Sequence, residues 1–386
     1  MRPAQWVSLA SLPGRAFNQA RLALIREAAA HYGISPGALL RRASHLYLRH
    51  GFGFQYALSI GLLDPRASNA AVHRCVTRKD LFTHQARYNP ADWRCLTEDK
   101  AVFYAYCKSV GLPVTAPVAV FDRAGGWTAD GTLVRERRDW EQFFDERLPS
   151  DFIIKPTLGA RGQGFSAYRR QAGGFLDGSG HVLSAPMLYD RLCGDTNFDR
   201  FIIQDRIRNH PDIVRLTGTE ALQTVRLVTW LIDDRVEFLQ ACFKIVSGAS
   251  LHDSFGSAGN LLANIDLDRG DLATAVAPAS IGIETVAVHP ITGLTFRAYQ
   301  LPDWRAAVDL ARRAARLFVP LRTIGWDIAL TAEGPQLSEG NAFWDPGNTL
   351  AVAPQTSSER DRELVALMAR FKASGRWHRS NKQAGL

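Results

Sequence analysis

The stretch over residues 325–348 limits the fold more than any other. It carries Gly-Trp-Asp-Ile-Ala-Leu starting at Gly325, Ala-Glu-Gly at 332–334 and Glu-Gly-Asn ending at Asn341. Residues 324–331 are apolar and β-branched enough for a strand, and residues 335–339 more weakly so. Between them Ala332-Glu333-Gly334 predicts a three-residue hairpin loop, with Gly334 taking the left-handed position. Pairing Thr331 with Pro335 sets Asp327 opposite Glu339, and Asn341, two residues on, shares their face. Like charges directly opposed destabilise a sheet. A divalent cation removes the repulsion, and hard oxygen ligands of this kind suit Mg²⁺ with phosphates completing its shell. The plainer alternative is a solvated hairpin with two surface carboxylates.

At 386 residues the chain exceeds one typical core. We expect three parts: a basic, mainly helical region over 1–95, a first part with a Gly-rich loop over 96–204, and a C-terminal part with the hairpin and a final helix over 205–386. The composition, 46% hydrophobic and 22% charged, is that of a soluble globular protein. A net charge of +8 suits anionic partners: nucleotides, phosphosugars, nucleic acid or an anionic membrane surface. Much of the excess sits at the two ends, in Arg15, Arg21, Arg26, Arg41, Arg42 and Arg49, and in Arg370, Lys372, Arg376, Arg379 and Lys382. Solvated faces are the plain reading of such runs. Five scattered cysteines with no C-x-x-C pair argue against a zinc site and a disulfide framework. No signal peptide or span of about 18 apolar residues is visible. These features predict a cytoplasmic protein, at most peripheral to a membrane.

Helix signals are clear at 15–32, closed by Gly33, and from Ser35-Pro36 to Gly51. Thr97 is expected to cap a helix stopped by Gly111 and Pro113. Strands are expected at 118–121, 152–155 and 201–203, and a long hairpin from 224–232 and 236–243 turning at Asp233-Asp234-Arg235. Asp303 caps a helix to 317, and a last helix covers 359–371. Hairpins among loosely alternating helices indicate an α+β fold.

Gly159, Gly162 and Gly164 allow backbone N–H groups to cradle phosphate oxygens, although the spacing fits neither a P-loop nor a dinucleotide fingerprint. Lys155 ends an apolar strand just before them. A lysine there needs an anionic partner or must snorkel to water. Arg226 is a charge inside the apolar run Thr-Val-Arg-Leu-Val-Thr, and Lys244 ends the neighbouring strand. Together they suggest an anion site, with a salt bridge elsewhere in the fold as the alternative. His252, Asp253 and Asn260 lie on the Gly/Ser-rich loop 247–260 and, with Phe343-Trp344-Asp345, are candidates for a second substrate, Asn260 foremost.

In this order Lys100, Lys155 before the Gly loop, Arg226, Asp327 in Gly-Trp-Asp-Ile-Ala and Glu339-Gly-Asn341 resemble ATP-grasp enzymes. With Trp344-Asp345-Pro346 the chain is most similar to the sugar-transfer-associated ATP-grasp proteins over roughly residues 90–350. The resemblance implies two α+β subdomains clasping ATP, preceded here by the basic helical region. It implies that Lys100 and Lys155 contact the α and β phosphates and that Gly159, Gly162 and Gly164 close over them. Gln204, Asp205 and Ile207 would form a hinge offering backbone groups to adenine, where the family often begins with Glu. His210 and Asp212 are candidates for the ribose contact. Asp327, Glu339 and Asn341 would hold one or two Mg²⁺ ions, with Mn²⁺ as a substitute, and Arg226 with Lys244 would steady the γ-phosphate.

The expected activity is an ATP- and Mg²⁺-dependent ligase that joins a carboxylate to an amine or thiol through an acylphosphate, releasing ADP and phosphate. Phosphoryl transfer asks for positioning and charge neutralisation rather than an enzyme nucleophile, and the chain has no G-x-S-x-G motif. The partners implied are ATP, a small carboxylate and an amine-type nucleophile, with a carrier protein or lipid-linked sugar as a further candidate for the basic front end. Two rivals stand: a kinase that phosphorylates a hydroxyl, and a non-enzymatic anion-binding scaffold. No nucleic-acid motif accompanies the basic ends, which disfavours nucleic acid.

Overall fold

The computed structural model describes residues 14–159, 162–248, 259–345, 347–348, 351 and 358–377. Five helices lead: α1 (Gly14–His31), α2 (Pro36–His50), α3 (Phe54–Ser59), α4 (Asn69–Arg74) and α5 (Arg78–Tyr88). The Ser35 hydroxyl accepts from the Ala38 N–H, Pro36 opens the first turn of α2, and Gly51 closes it at φ 76°. Ala28, Leu39, Leu46, Leu58, Leu62 and Leu63 form the small core that holds these helices together.

Then come α6 (Cys95–Glu98) and α7 (Lys100–Ser109). Thr97 does not cap α7. It lies within α6 and donates its hydroxyl to the Arg94 carbonyl, whereas the Asp99 carboxylate accepts from the Ala101 and Val102 N–H groups. The chain breaks at Asp99, whose extended backbone (φ −94°, ψ 115°) is the conformation a cap requires.

The first sheet holds β1 (Pro117–Asp122), β2 (Gly126–Thr128), β3 (Leu133–Val134), β4 (Asp151–Pro156), β5 (Ser166–Gln171), β6 (Gly174–Asp177), β7 (Val182–Leu183) and β8 (Arg200–Asp205). Its order is β3-β2-β1-β8-β4-β5-β6-β7 and every pairing is antiparallel. Phe121, Phe152 and Phe201 point to one face, where α8 (Arg137–Arg147) and α9 (Ala185–Cys193) cover them with Trp140, Phe144 and Leu188. Val120 and Ile202, one residue along, join the other core, as a period of two demands.

After α10 (Pro211–Thr217) the second sheet is built from β9 (Thr224–Ile232), β10 (Arg235–Ile245), β11 (Leu261–Asn264), β12 (Ala275–Pro278), β13 (Ile283–Val286), β14 (Thr323–Thr331) and β15 (Gly334–Asn341). It too is antiparallel, in the order β13-β12-β11-β10-β9-β14-β15. Between β13 and β14, α11 (Trp304–Leu317) lays Ala307, Ala311 and Ala314 on one face of the sheet. Small side chains let the helix approach closely and bury Leu227, Phe243, Trp326 and Ile328. Tyr104 and Phe103 of α7 belong to this same core. The last helix is α12 (Ser358–Trp377).

Both long hairpins turn more tightly than expected. Arg235 already pairs with Ile232, so Asp233-Asp234 alone make the turn, at φ 43° and 64°. Thr331 pairs with Gly334, so Ala332-Glu333 is a two-residue turn rather than a three-residue loop.

The N-terminal helices are fastened to the second sheet. Asn89 donates to the carbonyls of Thr323 and Ala342, both at 2.8 Å, and accepts from the N–H groups of Arg322 and Thr323. Gln85 donates to the Trp344 carbonyl at 2.7 Å. Asn348 is held by both backbone groups of Val76 and by the Tyr56 hydroxyl. Among the described residues no helix is long and apolar enough to cross a membrane.

Candidate active site

Residues directly opposite in a sheet point to the same side. Cys242 of β10 faces Arg226 of β9, Arg226 faces Asp327 of β14, and Asp327 faces Glu339 of β15. Lys244 faces Thr224 and so shares this side, and Asn341 faces Gly325. The result is a polar stripe across four strands, on the side of the sheet away from α11. Asp327 and Glu339 meet as expected, but by a different route. The shorter turn alone would have set Asp327 opposite Ser338. A bulge between Leu337 and Glu339 inserts one residue and restores the pairing.

Asp327 is 3% exposed. Its two oxygens accept from Arg226, Nε at 2.7 Å and Nη2 at 2.6 Å, and one of them also from Lys244 Nζ at 3.3 Å. Burial on its own would raise the Asp327 pKa. Arg226, then Lys244, outweigh it and hold the carboxyl well below the usual carboxylate range. Burial likewise would lower the Arg226 pKa, and Asp327 more than reverses this. Beside them burial pushes the Cys242 thiol up to about 11, which makes it an inert core residue rather than a nucleophile.

Glu339 pairs with Lys100 Nζ at 3.2 Å, and Lys100 also donates to the Gly159 carbonyl at 3.0 Å. The opposed carboxylates are thus neutralised by protein cations, so repulsion within the hairpin does not by itself require a metal. Lys155, from the first sheet, donates to the Tyr104 hydroxyl at 3.1 Å, and that hydroxyl donates to the Ser338 carbonyl at 2.6 Å. The two lysines therefore converge, one directly and one through Tyr104, on adjacent residues at the bulge. Arg226, Lys244, Lys100 and Lys155 set four cationic side chains against the two carboxylates Asp327 and Glu339.

The Gly-rich loop lies against this corner. Gly162 and Gly164 have φ of 73° and 69°, and a Cβ on Gly164 would come within 2.6 Å of Pro156 and 3.1 Å of Phe198. Glycine is required there by conformation and by space.

The remaining candidates lie on other segments. Gln204 and Asp205 are the last two residues of β8, paired with Ile153 and Phe152. Gln204 is fully buried and donates its amide to the Thr115 carbonyl. Ile207 is buried between β8 and α10. His210 accepts from the Asp212 N–H at 3.1 Å and so caps α10 locally. Asn260 is buried just ahead of β11, whereas His252 and Asp253 fall outside the described residues.

Among the described residues no three His, Cys, Asp or Glu side chains are placed to hold a metal ion. A cation would rely on Asp327, Glu339 and the Asn341 amide oxygen, with phosphates completing its shell. Such a donor set, poor in protein ligands, fits Mg²⁺. Asn341 donates its amide nitrogen to the Gly325 carbonyl at 3.3 Å, which leaves its oxygen to accept. Asp327 has used three of about four lone-pair directions, and Glu339 keeps 32% of its side chain exposed.

Two residues escape a reading of the sequence alone. Tyr104 sits in a helix like any core aromatic, and only its hydroxyl reach marks it. Asn89 has partners 234 and 253 residues away, so nothing local betrays it.

The family described as sugar-transfer associated ATP-grasp matches residues 80–359. The chain belongs to this family, and its two antiparallel α+β sheets behind a helical N-terminal region are an ATP-grasp fold. Solved structures with a similar fold include an L-amino acid ligase from Bacillus licheniformis, at 13% identity and TM-score 0.34, covering 66% of this chain and 42% of that one. A D-cycloserine synthetase matches at 17% identity and TM-score 0.37, over 74% and 73% of the two chains. A D-alanyl-alanine synthetase from Vibrio cholerae matches at 12% identity and TM-score 0.38, over 71% and 65%. Scores of this size set no substrate and no mechanism. No curated protein matches the chain.

Proposed function

We propose, starting from that membership, that the chain is an ATP- and Mg²⁺-dependent ligase joining a carboxylate to an amine or a thiol. A carboxylate oxygen attacks the γ-phosphorus and ADP leaves. The nucleophile then attacks the acyl carbon, phosphate leaves, and the new amide or thioester keeps both organic parts. The observation that carries this reading is the surplus of cations: among the described residues four stand against two carboxylates, brought together from both sheets and α7. Such a surplus calls for a polyanion, and nucleotide phosphates supply one.

In this reading Lys100 and Lys155 bind the α and β phosphates, and the backbone at Gly159, Gly162 and Gly164 covers them. Arg226 and Lys244 steady the γ-phosphate from within the sheet, where low dielectric makes each charge count for more than in water. Gln204, Asp205 and Ile207 flank the adenine, and Asn260 meets the second substrate. Asp327, Glu339 and Asn341 would hold Mg²⁺. Bound there, the ion neutralises charge on the outer phosphate oxygens. No side chain forms a covalent intermediate.

The test is to incubate enzyme, ATP and Mg²⁺ with pools of amino acids and sugar acids and to identify the nucleotide products. The reading expects ADP and phosphate, released only when carboxylate and nucleophile are both present. AMP and pyrophosphate would sink the acylphosphate route, and a stable phosphorylated product without any second nucleophile would replace the ligase by a kinase. Full activity in Asp327→Asn with Glu339→Gln would remove the metal assignment.

A further inference from the structure

A second cationic site lies ahead of the matched segment, between α2 and α4. A cavity of about 160 Å³ opens there, lined by Arg42, His45, His50, Asn69 and His73 over a floor of Leu46 and Val72. The His45 and His50 rings meet edge to face at 5.8 Å, and those of His50 and His73 at 5.7 Å. Among the described residues none of the three imidazoles has a hydrogen-bond partner for its ring nitrogens. Arg42 is anchored by its donations to the Leu62 and Ala67 carbonyls at 2.8 and 3.1 Å, so the wall it forms is fixed. Lys372 of α12 donates to the carbonyls of His73 and Cys75 beside it.

Among the described residues the charges around the cavity are one-sided. From α2 come Arg42, His45, Arg49 and His50, from α4 His73, and from α12 Lys372. The acid that acts on Arg42 is Asp64, which is already bound by Arg66 at 2.8 Å. Burial pushes the Tyr32 hydroxyl, just after α1, up to about 12, so it stays neutral. Burial, then His73 and His45, pull the His50 pKa down. Among the described residues no carboxylate lines the cavity. Three convergent imidazoles also suit a metal, but among the described residues no such ligand set is in place. An anion with several acceptor oxygens fits better, since a carboxylate has too few to engage donors on every wall.

We propose that this cavity binds a phosphoryl group, carried by a small molecule or a lipid. The lipid source is included because Leu40, Tyr47 and Leu48 of α2 are 44%, 63% and 78% exposed on the helix that forms the cavity wall. This site is separate from the stripe and does not rest on the ligase reading.

The probe is inorganic phosphate, titrated by calorimetry into the full chain at pH 6. The exposed pair His45→Gln with His73→Gln should weaken binding at least about tenfold, whereas Lys155→Ala on the stripe should leave it intact. A second arm sediments the protein with phosphatidic acid vesicles against phosphatidylcholine vesicles at pH 6. Sedimentation with phosphatidic acid that needs His45 and His73 assigns the phosphoryl group to a lipid. Phosphate binding without sedimentation assigns it to a soluble molecule. Phosphate affinity unchanged in the double variant overturns the proposal, as does no binding in either arm.

Discussion

At one end of the stripe Asp327 is 3% exposed and accepts three hydrogen bonds from two cations. At the other, Glu339 keeps 32% of its side chain exposed and, among the described residues, has a single ion pair, with Lys100. Both are carboxylates on one face of one hairpin, yet their surroundings divide the labour. Desolvating a carboxylate is costly, so the buried one must be matched closely, and losing a partner leaves an unpaired charge in the interior. The half-exposed one contributes little to stability and stays available to a ligand. The buried end is therefore expected to hold the sheet in shape as well as to meet the ligand, and the exposed end to meet the ligand with little part in stability.

The sharpest way to break this contrast is Asp327→Asn. It should cost about 3 kcal/mol of stability, the worth of a broken buried ion pair, and also abolish activity. Chemical denaturation and turnover measure the two. The same group predicts an acid limb. Its folded pKa is depressed, so its stabilisation is full above the ordinary carboxylate value of about 3.9 and is lost as pH falls through the lower folded value. Wild type should lose stability over that acid window, and Asp327→Asn should lose less of it. Similar slopes in the two proteins would mean that Asp327 is not the buried anion described here.

Glu339→Gln should behave differently: kcat/KM down by about 100-fold and a stability change under about 1 kcal/mol. A large loss of stability would erase the distinction between the two ends. Smaller again is Tyr104→Phe, which removes the hydroxyl between Lys155 and the Ser338 carbonyl. Its expected effect is a rise of about fivefold in KM for ATP, near the value of one hydrogen bond, with kcat little changed. An unchanged KM would show that Lys155 needs no positioning.

The local features of the site can be read from the sequence. Gly334, the apolar run 324–331 and the cluster Glu339-Gly340-Asn341 set the hairpin and its polar face without tertiary information. The turn is one residue shorter than those signals suggest, and the bulge at Ser338 compensates, so Asp327 still meets Glu339. Nothing local signals a bulge. Arg226 stands out as a cation needing an anion, but its partner Asp327 lies 101 residues on and is fixed by the β9–β14 register. A non-local pairing of that kind leaves no trace in spacing. The same holds for Asn89. At α7 two good caps, Thr97 and Asp99, stand two residues apart, and only backbone geometry chooses between them.

The central claim is that the exposed end of the stripe, with its surplus cations, binds a magnesium-bound nucleotide. Calorimetric titration of ATP with and without Mg²⁺, on wild type and on Glu339→Gln with Asn341→Ala, tests it most directly. Wild type should bind ATP at least about tenfold more tightly with Mg²⁺, and the folded double variant should lose that dependence while still binding ATP through Lys100 and Lys155. A double variant as responsive to Mg²⁺ as wild type would contradict the account.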